Sequence, residues 1–131
     1  MRIYLDTSAL VKLVVAEDES QALKNFLRTH ADDSLFTAAL GRTELIRAVA
    51  PNGAQAIADA RDLLSRLDTV TLTRQLLDDA GTLLPLRLRG LDAIHLAAAQ
   101  RAGDSLRAVI AYDARMLAAA ADLGISTASP R

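Results

Sequence analysis

The sequence predicts an α/β fold in which helices flank a central, mainly parallel sheet of about four to five strands. Short β-prone runs alternate with longer helical segments along the 131 residues, a pattern typical of parallel sheets that are covered on both faces. Hydrophobic residues make up 51% of the chain and charged residues 24%, a balance that supports a packed core and excludes a disordered chain. The length predicts one domain over residues 1–131.

The amino-terminal half is expected to supply two strands and four helices. The β-prone run 2–5 predicts the first strand, and Thr7 or Ser8 is expected to cap a helix that continues through Val15. The segment Pro51-Asn52-Gly53 marks a break between two later helices. The remaining elements are expected to be a helix that opens at 17–20 and ends near Thr29, a strand over 35–37, and helices over 38–50 and 54–67.

The carboxy-terminal half is expected to supply three strands and three helices. β-branched residues predict a strand over 69–72, and Thr73 is expected to cap a helix that ends near Leu84, ahead of Pro85. Gly103 is expected to be the C-cap of the following helix. The remaining elements are expected to be that helix over 91–102, a strand over 108–111, a helix over 114–122 and an edge strand over 125–127.

The composition excludes several classes of function. Without cysteine the chain cannot be a disulfide scaffold, a zinc ribbon, an iron–sulfur protein or a thiol enzyme, and two histidines are too few for a histidine-rich zinc site. Aromatic residues, at 3%, cannot support base stacking as the main activity, and a net charge of −1 argues against non-specific coating of nucleic acid. No apolar run approaches the ~20 residues of a membrane span, so we expect a soluble, cytoplasmic protein.

Four acidic residues are expected to lie at one edge of the sheet. Asp6 and Asp113 each follow a predicted strand, and the carboxyl ends of parallel strands, where ligands bind in open α/β sheets, lie on the same side. Asp92 opens an almost wholly apolar helix, and Glu44 lies inside the helix that follows the second strand. Four ionised carboxylates need a cation to remain close together. Because cysteine is absent and histidine is scarce, that cation is expected to be Mg²⁺ or Mn²⁺.

Each of these residues also has a purely structural interpretation. Asp6 is a candidate helix cap, and Asp92 a favourable charge at a helix N-terminus. Asp113 is a candidate turn residue, and Glu44 taken alone resembles an ordinary surface glutamate. His95, three residues after Asp92, is interpreted as a packed histidine that supports the acids in preference to a catalytic one. The shared edge favours the functional interpretation of the four acids as a group.

Four segments of the chain resemble, in order, the motifs of the PIN-domain nucleases, and more closely those of VapC-type toxins of bacterial toxin–antitoxin pairs. They are Asp6-Thr7-Ser8-Ala9-Leu10, Thr43-Glu44-Leu45, residues 91–97 and residues 112–116. The resemblance covers essentially the whole chain. It implies a PIN-like three-layer fold and a metal-dependent endoribonuclease that a cognate antitoxin restrains. By motif match the acidic, metal-holding positions are Asp6, Glu44, Asp92 and Asp113, and the hydroxyl position is Thr7 or Ser8.

Hydrolysis of RNA is the chemistry that this resemblance implies. A carboxylate-held Mg²⁺ neutralises the charge that grows on a phosphodiester and activates water near neutral pH. Because no general-base histidine is evident, we expect attack by water and not by the RNA 2′-OH. Arginines near the acids are expected to contact phosphates as a set, although each alone could be a solvated surface charge. They are Arg42, Arg47, Arg87, Arg89 and Arg115.

The sequence also leads to expectations about partners. We expect a homodimer, since the helical segments after Ser20 and Ala38 carry more aliphatic surface than one core of this size needs. A small antitoxin is expected to lay an apolar helix against the early helices and to reach the acids with a cationic side chain. DNA binding is expected to belong to the antitoxin, because this chain has no basic DNA-reading helix.

Three alternatives come from other classes of function. A phosphoryl-transfer enzyme with an aspartyl nucleophile usually needs a second acid two residues after the first, where this chain has Ser8. A receiver-like phospho-acceptor needs a lysine near the late strands, but the only lysines are Lys12 and Lys24. A PIN-like protein-interaction module that has lost catalysis is the strongest alternative, and the presence of all four acids argues against it.

Overall fold

A computed structural model of the protein describes residues 1–131, with five strands, seven α-helices and two short 3₁₀ turns. The strands are β1 (Arg2–Leu5), β2 (Ser34–Ala38), β3 (Asp68–Val70), β4 (Leu106–Ile110) and β5 (Thr127–Ala128). The helices are α1 (Thr7–Val14), α2 (Ser20–Thr29), α3 (Ala39–Val49), α4 (Ala54–Ser65), α5 (Arg74–Gly81), α6 (Gly90–Gln100) and α7 (Ala114–Asp122), and the 3₁₀ turns span Ala50–Asn52 and Gly103–Ser105. No helix is long and apolar enough to cross a membrane.

Every strand pairing in the sheet is parallel, in the order β3-β2-β1-β4-β5. In the central strand β1, Ile3 lies opposite Leu35 of β2 and Ala108 of β4. The carboxyl ends of all five strands therefore lie at one edge of the sheet, where open α/β folds bind their ligands. The predicted α/β class with a parallel sheet is confirmed, and the pairing of β1 with β4 brings the segments that follow these two strands side by side.

Side chains of β1 alternate between two hydrophobic clusters, one on each face of the sheet. Tyr4 packs in a cluster with residues of α5, α6 and α7, among them Leu96 and Met116. Ile3 and Leu5 point to the opposite face, into a cluster formed with α1, α2, α3 and α4. The result is the three-layer arrangement that a parallel sheet covered on both faces requires.

Helix α3 approaches the sheet closely at Gly41. A Cβ atom added at Gly41 would lie 2.6 Å from Oγ1 of Thr37, and this hydroxyl donates a buried hydrogen bond of 2.8 Å to the Leu5 carbonyl. Only glycine leaves room for the helix at this distance. Because Glu44 lies about one turn after Gly41, the close approach carries its carboxylate toward the sheet edge.

The first helix is capped by a different residue from the one predicted. Asp6, not Thr7 or Ser8, is the N-cap of α1: its backbone is extended, and its carboxylate accepts a hydrogen bond from the Ser8 N–H at 3.4 Å. The prediction that Thr73 caps the fifth helix is confirmed, since its hydroxyl accepts a hydrogen bond from the Leu76 N–H at 3.1 Å.

Two predicted boundaries in the middle of the chain are wrong. Helix α5 ends at Gly81 and not near Leu84, because the N–H groups of Thr82 and Leu83 close the helix with bonds to carbonyls only three residues back; the position of Leu84 before proline also disfavours helix there. Strand β3 ends at Val70 and not at residue 72, because its partner β2 ends at Ala38, which lies opposite Val70.

Two boundaries near the carboxy terminus also differ from the prediction. The last strand begins at Thr127 and not at residue 125, because the Ile125 N–H donates to the Ala120 carbonyl at 2.9 Å and so completes the end of α7. Helix α6 ends at Gln100, and Gly103, with φ of 55°, begins a 3₁₀ turn and is not the helix C-cap.

The exposed apolar side chains lie elsewhere than predicted. In α2 and α3 the residues Leu23, Leu45 and Val49 are buried, so these helices use much of their aliphatic surface in the core. Large exposed side chains instead occur in α5, in the loop that follows it and at the start of α6. They are Leu77, Leu84, Leu86 and Leu91, and Met1 at the start of the chain is also exposed.

Candidate active site

Asp6 lies where the two central strands end. The residue is 6% exposed, and its Oδ2 accepts a hydrogen bond from Ser8 Oγ at 2.9 Å. Ser8 Oγ in turn accepts a hydrogen bond of 3.0 Å from the Tyr112 N–H, one residue before Asp113. This run of hydrogen bonds fixes the Asp6 carboxylate at the junction of β1 and β4.

Glu44 reaches the same edge from α3. Its Oε1 accepts a hydrogen bond from Thr7 Oγ1 at 2.7 Å and lies 2.5 Å from Nε2 of His95. The same Nε2 lies 3.7 Å from Oδ1 of Asp6. One imidazole therefore faces two of the four predicted acids and connects α6 to both α1 and α3.

His95 is buried in α6, and both of its ring nitrogens have partners. Nδ1 lies 2.6 Å from the hydroxyl of Tyr4, which accepts a hydrogen bond from the Ala38 N–H at 3.2 Å. In the neutral ring, the Tyr4 hydroxyl therefore donates to Nδ1, and Nε2 donates to Glu44. This geometry is that of a packed histidine that orients a carboxylate.

Hydrogen bonding shifts the pKa values of this pair in opposite directions. Partial burial alone would raise the pKa of Glu44, but the hydrogen bonds from His95 and Thr7 outweigh it and lower that pKa. Burial alone would lower the pKa of His95, but its hydrogen bond to Glu44 and the negative charge of Asp6 raise it. Burial raises the pKa of Tyr4, so its hydroxyl keeps its proton. Glu44 is therefore held as a carboxylate at neutral pH.

Asp92 and Asp113 complete the acidic edge. Asp92 lies in the first turn of α6, and Asp113 caps α7, where its Oδ1 accepts a hydrogen bond from the Arg115 N–H at 2.9 Å. Burial and the negative charges of Asp113 and Asp6 raise the pKa of Asp92. The capping interpretation of Asp6 is thus correct but incomplete, and Asp113, interpreted as a turn residue, caps α7; both residues also act on Asp92 through their charge.

The donor set suits a hard divalent cation. Carboxylate oxygens are the ligands that Mg²⁺ and Mn²⁺ prefer, and the carboxylates of Asp113 and Asp6 are close enough to Asp92 to add to the effect of burial on its pKa. The acidic side chains do not converge into a cage of three or more ligands. Mg²⁺ usually keeps several waters and is held by one or two carboxylates together with substrate phosphates. The open arrangement of Asp6, Asp92 and Asp113 allows that mode of binding.

Three of the five predicted arginines lie together beside Asp92. Arg87, Arg89 and Arg115 line a cavity of about 320 Å³, and Asp92 lies in its wall. The loop between α5 and α6 supplies the first two, and the first turn of α7 supplies Arg115. The structure therefore brings a cluster of guanidinium groups next to the acidic edge.

The other two predicted arginines lie in a different place. Arg42 and Arg47 line an open groove between α3 and α4 together with Arg61, and Arg42 donates to the Leu64 carbonyl at 3.4 Å. Arg42, two positions before Glu44, lies on a different side of α3 from its carboxylate, whereas Arg47, three positions after it, lies on a neighbouring face but lines this groove and not the cavity beside Asp92. The expectation that all five arginines surround the acids is therefore wrong for Arg42 and Arg47.

The hydroxyl groups of Thr7 and Ser8 are already engaged within the protein. Thr7 donates to Glu44 and Ser8 donates to Asp6, so both orient carboxylates. Tyr4, which fixes the imidazole of His95, was not predicted from the sequence. A signal was present, because Tyr4 is the one polar aromatic residue inside a predicted buried strand.

Comparison with known proteins yields consistent matches over nearly the whole chain. Residues 3–123 match the family described as PIN domain. The chain is 47% identical over 128 residues to ribonuclease VapC46 of Mycobacterium tuberculosis, an alignment that covers 98% of this chain and 97% of the relative. It is 43% identical over 131 residues to ribonuclease VapC47 of the same species, with coverage of 98% and 96%.

One solved structure extends the comparison to the fold. The crystal structure of M. tuberculosis VapC20, described as a sarcin–ricin loop cleaving toxin, superposes with a TM-score of 0.76. The match covers 98% of this chain and 99% of that chain at 18% sequence identity. At this identity the similarity establishes a shared three-layer fold.

Proposed function

Because the chain belongs to the PIN-domain family, as one of its VapC-type ribonucleases, we propose that it is the toxin of a toxin–antitoxin pair and a Mg²⁺- or Mn²⁺-dependent endoribonuclease. Residues 1–131 act as a single nuclease domain in the cytoplasm. The observation that carries the proposal is the acidic edge itself. Asp92 lies close enough to Asp113 and Asp6 that their negative charges, after its own burial, raise its pKa, and Glu44 and Asp6 both face the imidazole of His95.

The acidic edge holds the cation in this proposal, with Asp6, Asp92 and Asp113 as candidate ligands and Glu44 as a fourth. When bound, the cation would supply positive charge for the phosphodiester and activate water for attack on phosphorus. The residues around it prepare the site. Ser8 orients Asp6 through a hydrogen bond, and Thr7 and His95 together orient Glu44 and keep it ionised.

Attack by water, and not by the RNA 2′-OH, is supported by the environment of His95. Removal of a proton from the 2′-OH would need a general base with a free nitrogen or oxygen near the ribose. His95 is 2% exposed, and its two nitrogens face Tyr4 and Glu44. It acts as a positioning residue that fixes Glu44.

Arginine side chains hold the RNA backbone. Arg87, Arg89 and Arg115 lie beside Asp92, so a phosphate group adjacent to the scissile one can contact them while the scissile phosphate faces the acids. Guanidinium groups suit this task, because they bind phosphate oxygens through two parallel hydrogen bonds. Arg42 and Arg47, in their separate groove, are assigned to more distant parts of the RNA.

The partners of the protein follow from its charges and its exposed leucines. A small antitoxin would neutralise the acidic edge with a cationic side chain, and DNA would be bound through that antitoxin only. We propose a homodimer whose interface uses the leucines exposed near α5 and α6, since large apolar side chains left exposed by the fold are commonly covered at an interface. Light scattering at micromolar concentration tests the dimer, and a monomer mass would contradict it.

The proposed function is tested by inducible expression without the antitoxin. We expect growth arrest, together with new RNA ends that carry a 5′-phosphate or a 3′-phosphate but no 2′,3′-cyclic phosphate. Attack by the RNA 2′-OH would leave the cyclic form, so its detection would refute hydrolysis by water. Absence of both arrest and new ends, at verified expression, would favour the non-catalytic interaction module.

A further inference from the structure

The cavity beside Asp92 contains a second carboxylate for which the proposed hydrolysis has no use. Asp122, the last residue of α7, lines this cavity together with Arg87, Arg89 and Arg115. The rest of the lining is apolar or small: Pro85, Leu88, Ala118 and Ala119. The volume of about 320 Å³ lies within the range of small-molecule sites, ~300–1,000 Å³.

Asp122 does not stabilise the fold in any way that the structure reveals. The carboxyl-terminal end of a helix carries partial negative charge, so an aspartate there is unfavourable. Asp122 forms no ion pair and no side-chain hydrogen bond within the protein, although three arginines line the same cavity. In contrast, Asp62 and Asp79 each pair with an arginine on the surface.

The three arginines of the cavity are also free of protein partners. None of them forms an ion pair or a hydrogen bond through its guanidinium group, whereas Arg66, Arg101 and Arg107 all pair with aspartates. Positive and negative groups therefore line one cavity without forming a direct ion pair, although the charge of Arg89 acts on Asp92. Such an arrangement fits a ligand that is itself divided into an anionic part and a part that donates hydrogen bonds.

We propose that this cavity binds one unpaired nucleotide of the RNA substrate, and that Asp122 selects guanine at that position. The inference rests on the proposed function, because it takes RNA as the substrate, and it adds a specificity-determining residue. The phosphate of the nucleotide contacts the arginines. The Watson–Crick edge of its base faces Asp122.

The selection of guanine follows from the hydrogen-bonding groups of the bases. Guanine presents two adjacent donors, N1–H and the N2 amino group, and an ionised carboxylate can accept from both at once. Adenine and cytosine each present an amino group next to an unprotonated ring nitrogen, and that nitrogen repels a carboxylate oxygen. Uracil presents one donor between two carbonyl oxygens. Asp122 therefore forms a bidentate contact with guanine alone.

The walls of the cavity suit a base that has left its stack. Single-stranded RNA is commonly recognised through splayed-out bases that stack on aromatic rings or on guanidinium planes. Aromatic residues make up only 3% of this chain, and none lines the cavity. The guanidinium planes of the arginines and the apolar surface of Leu88 and Pro85 take their place.

Nucleotide binding in the presence of EDTA tests the inference without catalysis. We would titrate the purified chain with guanosine, adenosine, cytidine and uridine 5′-monophosphate and follow the methyl NMR signals of Ala118 and Ala119. Guanosine monophosphate should bind about ten-fold or more tightly than the other three. The variant Asp122→Asn should lose this preference. The control is Asp104→Asn, which changes an exposed aspartate in the 3₁₀ turn that directly precedes β4 and does not line the cavity. This variant should keep the preference for guanine.

A second variant tests the cavity itself. Ala118→Leu would fill part of it and should weaken binding of all four nucleotides while leaving the far-ultraviolet circular dichroism spectrum unchanged. Equal binding of all four nucleotides, a guanine preference that survives in Asp122→Asn, or no methyl shifts at millimolar nucleotide would each overturn the inference.

Cleavage of RNA by the same preparations separates this inference from the proposed function. RNA hairpins that carry each of the four bases beside the cut should be cleaved best with guanine by the parent, and without preference by Asp122→Asn. Equal cleavage of all four hairpins by the parent would refute the role of Asp122 and leave the proposed function intact. A protein that binds guanosine monophosphate but cleaves no RNA would refute the proposed function alone.

Discussion

Nε2 of His95 lies 2.5 Å from Oε1 of Glu44, although 51 positions separate the two residues in the chain. This contact joins α6, which carries Asp92, to α3. Tyr4 of β1 holds the other nitrogen of the same ring at 2.6 Å. A single imidazole thus sets the relative positions of elements that carry three of the four acids.

Replacement of His95 by Gln should impair both the fold and the site. Gln cannot reach Tyr4 and Glu44 at once, so one buried polar group loses its partner, at a cost of about 1–3 kcal/mol in the free energy of unfolding. The RNA cleavage rate should fall and the Mg²⁺ concentration for half-maximal rate should rise, since Glu44 is no longer fixed. Urea denaturation and a Mg²⁺ titration measure the two effects. The control is His30→Gln at the end of α2, and a similar loss in both variants would contradict the assigned role.

Asp92→Asn should stabilise the metal-free protein. Burial and the charges of Asp113 and Asp6 disfavour the ionised form of Asp92 and raise its pKa, so removal of that charge should add about 0.5–1 kcal/mol to the free energy of unfolding in EDTA. The parent should gain roughly 1.4 kcal/mol when Mg²⁺ is at ten times its dissociation constant, and the variant should gain much less. Melting curves with EDTA and with Mg²⁺ test both statements. A lower metal-free midpoint together with an unchanged Mg²⁺ gain would make Asp92 a structural residue only.

Gly41→Ala should destabilise the protein although alanine favours helices. The added methyl group would meet Thr37 Oγ1 at 2.6 Å, so either α3 or the buried hydrogen bond of Thr37 must shift, at a cost of about 1–3 kcal/mol. The matched variant is Gly81→Ala in α5, where a Cβ atom meets nothing within 4 Å and stability should hold or rise by up to about 1 kcal/mol. Chemical denaturation compares them. Equal stability of the two variants would show that α3 does not depend on close contact with Thr37.

Asp33 and Arg107 form an ion pair at the edge of the sheet remote from the acids. We expect this pair to make the stability of the protein depend on pH. Arg107 lowers the pKa of Asp33 to about 2, and the carboxylate side chain is 5% exposed. Because the folded-state pKa is depressed, the pair stabilises the protein fully above the unfolded pKa of ~3.9 and loses its contribution as the pH falls through about 2.

Asp33→Asn provides the test of this pH dependence. The difference in free energy of unfolding between the parent and Asp33→Asn should be largest above about pH 4 and should vanish toward pH 2. The control Asp104→Asn, which removes an unpaired exposed carboxylate, should show no such trend. A constant difference between parent and Asp33→Asn across this range would mean that the charge of Asp33 does not contribute.

Much of the fold could be predicted from short-range sequence patterns. The alternation of strands and helices determined the parallel sheet, and the aspartates that end β1 and precede α7 could be placed at one edge, since parallel strands share a direction. The ends of strands and helices that were predicted wrongly depend on contacts between residues distant in sequence, or on the hydrogen bonds that terminate a helix. Val70 ends β3 because Ala38 ends β2, and Ile125 is drawn to the carbonyl of Ala120.

The acidic residues of the candidate site could be predicted from the sequence, but the residues that orient them could not. Asp6, Glu44, Asp92 and Asp113 follow from strand ends, from a helix start and from family motifs. The bond between Tyr4 and His95, by contrast, depends on which face of β1 meets α6, and no local pattern contains that relation. The separation of Arg42 and Arg47 from Arg87 and Arg89 has the same origin, since spacing along the chain does not show the side of the molecule on which a groove opens.

The most direct test of the account is the Mg²⁺ dependence of RNA cleavage by the purified chain and by Asp6→Asn. Asparagine caps a helix about as well as aspartate, so α1 should remain intact while the charge at the junction of β1 and β4 is lost. We predict cleavage that Mg²⁺ supports and EDTA abolishes, a rate at least about 100-fold lower for Asp6→Asn, and a parental rate for the control Asp104→Asn. Cleavage that persists in EDTA, or that Asp6→Asn retains in full, would contradict a carboxylate-held cation as the centre of the activity.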